Sequence, residues 1–230
     1  MSPEAYPTDQ EAKRAIIEAG QRLYQKGLVC ASDGNISTRV SPNHVLATPS
    51  GVCKGFLTED MLIKLDLDGS VLEGTSMPSS EIKMHLNCYK QSPDVLAVVH
   101  AHPPSAAAFA AAGLPLDTAI LQETVVLLGV VPLVPFALPG SDDLADGVSA
   151  FVQDYHALLL EHHGAVAWGK SVNEALERME RIEYTATVTL LSKMLGITRA
   201  MTEKQIDALL ALRPRWGITG GGRPLGRDDV

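Results

Sequence analysis

Apolar residues recur three or four positions apart in two long stretches, one near the start of the chain and one in its last third. Thr8 with Glu11 precedes the first stretch, and Ser171 with Glu174 precedes the second; each pair has the spacing of a capping box. Gly196 follows the second stretch and can end a helix. The pattern predicts two amphipathic helices, of which the second is the longest in the chain.

Shorter apolar patterns lie between these two helices. The ranges 36–40, 44–48 and 62–66 are short and separated by turn residues, which predicts antiparallel strands. The ranges 95–99 and 157–160 are almost wholly apolar, which predicts two buried strands.

The remaining segments are mostly helical in pattern. Helices are predicted over 81–90 with Ser79 or Ser80 as the N-cap, over 105–112, and over 142–155 with Ser141 as the N-cap. The segment 118–129 fits a helix and a strand equally well. Together these elements predict a mixed α/β fold in which helices cover a largely antiparallel sheet.

Composition and charge narrow the class of protein. Of the 230 residues 46% are hydrophobic, which is enough for one well-filled core. We therefore expect a single domain over 1–230, with the glycine-rich residues 217–230 as a flexible tail. The formal net charge is −8 and the basic residues are scattered, which argues against nucleic acid or an anionic membrane as a partner. A small-molecule substrate is expected instead.

Three features indicate where the protein works. The cysteines, Cys30, Cys53 and Cys88, are odd in number and lack CxxC spacing, so no disulfide framework is predicted. Residues 1–10 lack the basic and apolar regions of a secretory signal. The longest apolar stretch, 125–138, falls short of the roughly 20 residues that a membrane-spanning helix needs. We expect a cytoplasmic protein.

Four of the seven histidines follow the two buried strands. His100 and His102 are two positions apart, so both project to one face of a strand. His162 and His163 follow the other strand and point to opposite faces if that strand extends so far, so only one of them can join the first pair. Catalytic zinc commonly takes three protein ligands and keeps a position open for water or substrate. The pattern predicts a metal site.

Glu81 is the carboxylate expected to act with these histidines. It lies at the start of the predicted helix 81–90. It can serve as a metal ligand, as a base that removes a proton from carbon beside a polarised carbonyl, or only as a charge that stabilises the helix N-terminus. His85, one helical turn later, either orients Glu81 or packs in the core.

Three segments rich in glycine and hydroxyl residues, 33–37, 48–51 and 79–80, could jointly surround an anion. Backbone N–H groups in turns, together with serine hydroxyls, bind phosphate without a lysine. Taken singly, each segment is also an ordinary turn or helix cap. Neither a Walker motif nor a dinucleotide glycine motif is present, so a nucleotide is not indicated.

Five motifs together resemble the class II aldolase and adducin head family, and within it the fuculose-phosphate aldolases. The motifs are GNIS at 34–37, TPSG at 48–51, PSSE at 78–81, VVHAH at 98–102 and EHHG at 161–164. The resemblance implies a three-layer α/β/α sandwich around a mostly antiparallel sheet of about nine strands. It also implies a homotetramer with its sites between neighbouring subunits.

The resemblance further implies roles for individual residues. The zinc ligands would be His100, His102 and His163, with Glu81 as a further ligand and as the acid/base residue; Mn²⁺ or Co²⁺ also suits such ligands. The phosphate of a sugar phosphate would be bound by residues of the three turn segments, namely Asn35, Ser50, Gly51, Ser79 and Ser80. The implied reaction is aldol cleavage of a ketose 1-phosphate to dihydroxyacetone phosphate and an aldehyde through a metal-stabilised enediolate.

Two positions depart from the aldolases of this family. Leu121 stands where they offer a tyrosine that protonates the aldehyde oxygen. Glu123 lies near an extra carboxylate of the dehydratase-like members, so it is either a second acid/base residue or a surface charge. Decarboxylation, dehydration or, less readily, sugar-phosphate 4-epimerisation on the same metal scaffold are therefore alternatives. An adducin-like binding module is a further alternative, but such a module is expected to lack the histidines or Glu81.

Overall fold

The computed structural model describes residues 6–196 and 199–227. Within them, the helices are α1 (Asp9–Gln25), α2 (Ile82–Gln91), α3 (Pro104–Ala111), α4 (Gln122–Leu127), α5 (Asp142–Ser149), α6 (Val172–Met194) and α7 (Glu203–Leu210). The strands are β1 (Asn35–Ser41), β2 (His44–Ala47), β3 (Ile63–Asp66), β4 (Val71–Glu73), β5 (Ala97–Ala101), β6 (Leu133–Val134), β7 (Ala157–Leu160) and β8 (Gly164–Gly169).

The strands of the described residues form one sheet in the order β4-β3-β2-β1-β5-β8-β7-β6. Neighbouring strands are antiparallel, except that β6 and β7 are parallel. Helices α1, α3 and α6 pack on one face of the sheet, and α2 and α5 pack on the other. The predicted α/β/α sandwich with a mostly antiparallel sheet is thus confirmed, with 8 strands where about nine were expected.

The central strand β5 shows why its sequence is a continuous apolar run. Ala97, Val99 and Ala101 pack in the cluster beneath α1, α3 and α6, whereas Val98 packs in the cluster on the opposite face. A strand covered on both faces has no polar side, so its apolar residues do not alternate with polar ones. His100 follows the alternation and projects to the same face as Val98. The end of this strand therefore delivers a histidine to the side of the sheet where α2 packs.

The predicted helix starts are largely confirmed. Thr8 and Glu11 form the reciprocal capping box at α1. The Ser171 hydroxyl accepts from the backbone N–H of Glu174 at the start of α6. The Glu174 carboxylate, however, accepts from the backbone N–H of Lys170 at 2.6 Å and not from Ser171, so this end is capped without a reciprocal box. Each bond satisfies an N–H that the helix itself cannot.

Two predicted helix boundaries are wrong. Helix α2 begins after Glu81, which is its N-cap residue, and neither Ser79 nor Ser80 caps it. The Ser79 hydroxyl accepts from the side-chain amide of Asn35 at 3.1 Å and from the backbone N–H of Glu81 at 3.3 Å, so it joins the neighbouring loop to the N-cap residue and bonds no N–H within the helix. Helix α5 ends at Ser149 and does not reach Tyr155, because backbone N–H groups after it bond three residues back and tighten the chain into turns.

The region around the second pair of histidines also differs from the prediction. Strand β7 stops at Leu160, and the chain turns at once into β8, a strand that the sequence interpretation missed. His162 has φ of 56°, which is the left-handed conformation of a tight turn. The ambiguous segment 118–129 contains the short helix α4.

The glycine-rich C-terminal segment is packed against the domain as far as the structure describes it. The carbonyl of Gly221 accepts from the N–H of Val130 at 2.7 Å, and Leu225 N–H donates to the carbonyl of Asp117 at 2.6 Å. A Cβ on Gly129 would lie 1.7 Å from the Gly221 carbonyl oxygen, so glycine here allows close packing. These contacts argue against the expected flexible tail over 217–227; residues 228–230 lie outside the described residues.

No helix in 6–196 or 199–227 combines the length and the apolar character needed to cross a bilayer.

Candidate metal centre and anion pocket

His100 is held rigidly at the end of β5. Its side chain is 0% exposed, and its Nδ1 lies 2.9 Å from the carbonyl oxygen of Ala165 on β8. A carbonyl can only accept, so we assign the ring hydrogen to Nδ1, which leaves a lone pair on Nε2. Burial lowers the pKa of His100 to about 3, so the ring is neutral near pH 7.

His102 and His163 bring their rings to the same point. The ring centroids of His100, His102 and His163 lie 4.8 to 4.9 Å from one another. The Nε2 atoms of His100 and His102 are 3.0 Å apart. The turn at His162 rotates that residue outward, where it is exposed, and directs His163 to the group. The structure therefore brings together the three histidines that the resemblance implied.

Glu81 completes this cluster from the start of α2. Its Oε1 lies 3.1 Å from His163 Nε2, and its Oε2 lies 3.3 Å from His100 Nε2. The side-chain amide of Asn35 donates to Oε2 at 2.9 Å. Burial opposes the charge on Glu81, but the neighbouring imidazoles and the Asn35 hydrogen bond outweigh burial and hold its pKa well below the ordinary value.

The donor set fits a divalent cation. One ring nitrogen from each of His100, His102 and His163 lies within 4.8 Å of the other two, which is the spacing of atoms that could share one ion. Burial also lowers the pKa of His102, and a neutral imidazole offers the lone pair of one ring nitrogen to a metal ion. Apart from its 3.1 Å contact with His163 Nε2, the buried Oε1 of Glu81 has no hydrogen-bond partner among the described residues. Three imidazoles and a carboxylate are typical ligands of zinc and similar ions.

A cavity of 310 Å³ opens beside the histidines. Its lining contains the five residues expected to bind phosphate, which are Asn35, Ser50, Gly51, Ser79 and Ser80. Glu81, His102 and His163 line the same cavity. The loop before β1 and the turn after β2 meet here because β1 and β2 are antiparallel neighbours. The segment before α2 joins them through the bridge between Pro49 and Pro78. Polar groups suited to an anion thus lie next to the candidate metal ligands.

Lys54 lines this cavity and was missed by the sequence interpretation. It follows the TPSG motif by three residues, and its side chain is 1% exposed. Backbone N–H groups and serine hydroxyls alone were expected to bind the phosphate, and no Walker motif marks this lysine. A lysine three residues after a serine-glycine turn was the available signal.

Other candidate residues lie elsewhere. Glu123 is exposed in the first turn of α4 and does not line the cavity, and Leu121 is the N-cap residue of that helix. His85 is buried, its Nδ1 lies 2.7 Å from the Ser37 hydroxyl, and its Nε2 has no hydrogen-bond partner among the described residues. His85 therefore does not orient Glu81 through a hydrogen bond. Burial lowers its pKa to about 4.

A layered α/β domain with three histidines and a carboxylate at the end of its central strands defines a candidate metal-dependent enzyme. The chain belongs to the family described as Class II Aldolase and Adducin N-terminal domain, whose model matches residues 14–190. The resemblance seen in the five motifs is confirmed by this match, and His100, His102 and His163 form a group that could hold a metal ion.

Two similar relatives carry different named activities. The chain is 34% identical over 188 residues to a 3-oxo-tetronate 4-phosphate decarboxylase of Pectobacterium atrosepticum, covering 80% of this chain and 86% of the relative. It is 33% identical over 181 residues to an L-fuculose phosphate aldolase of Methanococcus maripaludis, covering 79% of this chain and 97% of the relative. Both relatives are lyases by name.

A solved structure of a similar protein has the same fold. YgbL of Klebsiella pneumoniae, described only as an aldolase, epimerase or decarboxylase, superposes with a TM-score of 0.83 at 30% identity. The superposition covers 88% of this chain and 99% of YgbL.

Proposed function

We propose that the chain is a divalent-metal-dependent lyase that breaks a carbon–carbon bond next to the carbonyl group of a small phosphorylated ketose or 3-oxo acid. The observation that carries this proposal is the contact of Glu81 with His100 and His163 at the edge of the cavity. A proton-transfer group, a set of metal ligands and an anion pocket are the three parts that such a reaction needs.

The names of the relatives point to one shared intermediate. Loss of carbon dioxide from 3-oxo-tetronate 4-phosphate leaves the enediolate of dihydroxyacetone phosphate, because the carboxylate stands β to the ketone. Aldol cleavage of fuculose 1-phosphate leaves the same enediolate. One site can therefore serve both reactions, and they differ only in the fragment that departs.

The residues of this chain take distinct roles in that scheme. A divalent cation held by His100, His102 and His163, with Glu81 as a further ligand, would stabilise negative charge on the carbonyl and hydroxyl oxygens of the substrate. We expect zinc, with Mn²⁺ or Co²⁺ as other ions that suit these ligands.

The anion pocket and Glu81 would act on the other end of the substrate. The hydroxyls and N–H groups of Ser50, Ser79 and their neighbours would bind the phosphate and fix the substrate in the cavity. The ionised Glu81 carboxylate would take up a proton from solvent water and deliver it to the carbon that loses its substituent. Asn35, which donates to Glu81 Oε2, would keep that carboxylate in place.

Decarboxylation is the reaction that the described residues support better. Aldol cleavage needs a base that removes the proton from the hydroxyl group that becomes the aldehyde oxygen, and the apolar side chain of Leu121 cannot do so. Carbon dioxide departs without such a base. Aldol cleavage of a ketose 1-phosphate is the second candidate, with Glu123 of a neighbouring subunit as its candidate second acid/base residue.

We also propose that the chain acts as a homotetramer in the cytoplasm. Phe136 and Leu138 are exposed, and they precede Pro139, which lines the cavity. Exposed apolar side chains beside a site are typical of surfaces that a neighbouring subunit covers. Measurement of the molar mass in solution tests this arrangement, and a monomer at all concentrations would contradict it.

One assay tests the proposed reaction and separates its two forms. The metal-loaded protein is incubated with 3-oxo-tetronate 4-phosphate and with fuculose 1-phosphate, and dihydroxyacetone phosphate is measured in both reactions. Carbon dioxide release in the first reaction indicates decarboxylation, and aldehyde release in the second indicates aldol cleavage. Failure to form dihydroxyacetone phosphate from either compound would overturn the proposal.

A further inference from the structure

We propose that the buried ammonium group of Lys54 is the fixed positive charge of the anion pocket and positions the two loops that form it. This inference rests on the proposed function, because it assigns the pocket to a phosphate group. Lys54 is a positioning residue: it holds the two loops in place, and its positive charge favours an anion in the pocket between them.

The contacts of Lys54 join the two loops directly. Its Nζ donates to the carbonyl oxygen of Ser32 at 2.7 Å and to that of Val52 at 2.6 Å. Ser32 lies in the loop that leads to Asn35, and Val52 directly follows the Ser50-Gly51 turn. Charge-assisted hydrogen bonds of this length are stronger than neutral ones, so they fix both backbones relative to each other.

The backbone of Lys54 is itself fixed from the opposite side. It begins the short helical turn Lys54–Phe56, and a Cβ on Gly20 of α1 would lie 2.3 Å from the Lys54 carbonyl oxygen. Helix α1 thus packs directly against this turn. The ammonium group is held by a rigid support and not by a mobile surface side chain, which lowers the entropy cost of ordering it.

The positive charge of Lys54 offsets negative charge in the lining of the cavity. Among the lining residues of the described chain, Lys54 is the only lysine or arginine, whereas Asp33 and Glu81 are acidic. A phosphate dianion entering the cavity would meet these two carboxylates, and an ammonium at its wall offsets that repulsion. Burial lowers the pKa of Lys54, and Asp33 and Glu81 act in the opposite direction.

The remaining hydrogen of the ammonium group has no acceptor among the described residues. Two carbonyl oxygens account for two of its three N–H bonds. Leaving a buried charged donor without a partner is costly. A phosphate oxygen is an acceptor of the kind that this donor lacks.

The test measures binding of a phosphorylated probe and not turnover. The metal-loaded protein is titrated with glycerol 3-phosphate and with glycerol, and the titration is repeated after the metal is removed. We expect Lys54→Met to weaken glycerol 3-phosphate binding by at least about 10-fold in both forms, which corresponds to one strong charge-assisted contact. The control Lys90→Met removes an equal charge from the far end of α2 and is expected to leave binding unchanged.

A second variant and an NMR measurement on the unmodified protein complete the test of Lys54. Lys54→Gln keeps a donor for one carbonyl and lacks the charge, so it tests the charge in case Lys54→Met does not fold. If either folded variant binds glycerol 3-phosphate as tightly as the unmodified protein does, the inference is wrong. In the unmodified protein, the NMR signal of the Lys54 ammonium group should shift on addition of the probe, and an unchanged signal would also overturn the inference. Binding without any lyase activity would instead contradict only the proposed function.

Discussion

The Nδ1 atom of His102 lies 3.4 Å from the Oδ2 atom of Asp33, on the side of the ring away from His100. A carboxylate in this position favours the hydrogen on Nδ1 and therefore the lone pair on Nε2, which faces the other histidines. The contact explains how a histidine just beyond the end of β5 keeps a ligand-ready orientation although it is partly exposed. Asp33 also lines the anion pocket, so it belongs to both parts of the site.

We predict that Asp33→Asn weakens metal binding by about 10-fold, the lower end of the effect usual for a residue that orients a metal-bound histidine. Competition with a chromogenic chelator measures the metal affinity. Asp94→Asn removes the same charge near the opposite end of β5 and is the matched control. An unchanged affinity in Asp33→Asn would show that the contact does not orient His102.

The two adjacent histidines after β7 offer a matched pair of variants. We predict that His163→Asn loses stoichiometric metal and lyase activity, because its ring is one of the three that converge. His162→Asn should keep both, because that side chain is exposed and asparagine tolerates the positive φ of 56°. Elemental analysis and the dihydroxyacetone phosphate assay provide the readouts. Loss of metal in His162→Asn with retention in His163→Asn would reverse the assignment.

Glu81→Gln separates proton transfer from metal binding. We predict a fall in kcat of about 10²- to 10⁴-fold, the usual contribution of a general acid or base, while His100, His102 and His163 still retain metal. The glutamine amide keeps the volume of the carboxylate, so the unfolding midpoint should change little. Glu123→Gln is the comparison, and we expect its kcat for decarboxylation to stay near that of the unmodified protein, because Glu123 is exposed and does not line the cavity. A fall comparable with that of Glu81→Gln would return Glu123 to the site as a second acid/base residue.

The histidine site could be predicted from sequence to a large extent because strand geometry is local. Residues two positions apart on a strand share a face. His100 and His102 could therefore be paired without any knowledge of the fold. The choice between His162 and His163 could not be made in this way. It depends on the tight turn from β7 into β8, and a turn with positive φ at a histidine has no strong sequence signal.

Lys54 and the C-terminal segment show a second limit of the sequence. The proposed role of Lys54 depends on the carbonyl groups of Ser32 and Val52, which are 22 and 2 residues away, and no local pattern reports the contact with Ser32. Glycines over 217–222 indicated flexibility, yet Gly221 is buried where a side chain would collide with His156 and Leu128. A high glycine content indicates large conformational freedom in the unfolded chain. It does not indicate whether the folded chain needs those glycines for positive φ angles or close packing.

The stability of the protein should depend on the protonation of His156, which holds this C-terminal segment. Its Nε2 lies 2.7 Å from the carbonyl oxygen of Thr219, and its Nδ1 lies 3.2 Å from that of Leu128. Burial, followed by the positive charge of Arg178, lowers the pKa of His156 to about 4 from the ordinary 6.5. Between these two pH values the unfolded chain binds a proton that the folded chain does not.

The sign of the pH effect follows from this difference in bound protons. Above pH 6.5 neither state is protonated at His156, and the residue makes its full contribution to stability. As the pH falls from 6.5 to about 4, His156 lowers the free energy of unfolding by up to about 1.4 kcal/mol per pH unit. His156→Gln should therefore be less stable than the unmodified protein at pH 7, and this deficit should shrink toward pH 4.5. Urea unfolding of both proteins at several pH values, with equal metal content, measures the difference. A deficit that stays constant or grows as the pH falls would show that His156 does not resist protonation in the folded state.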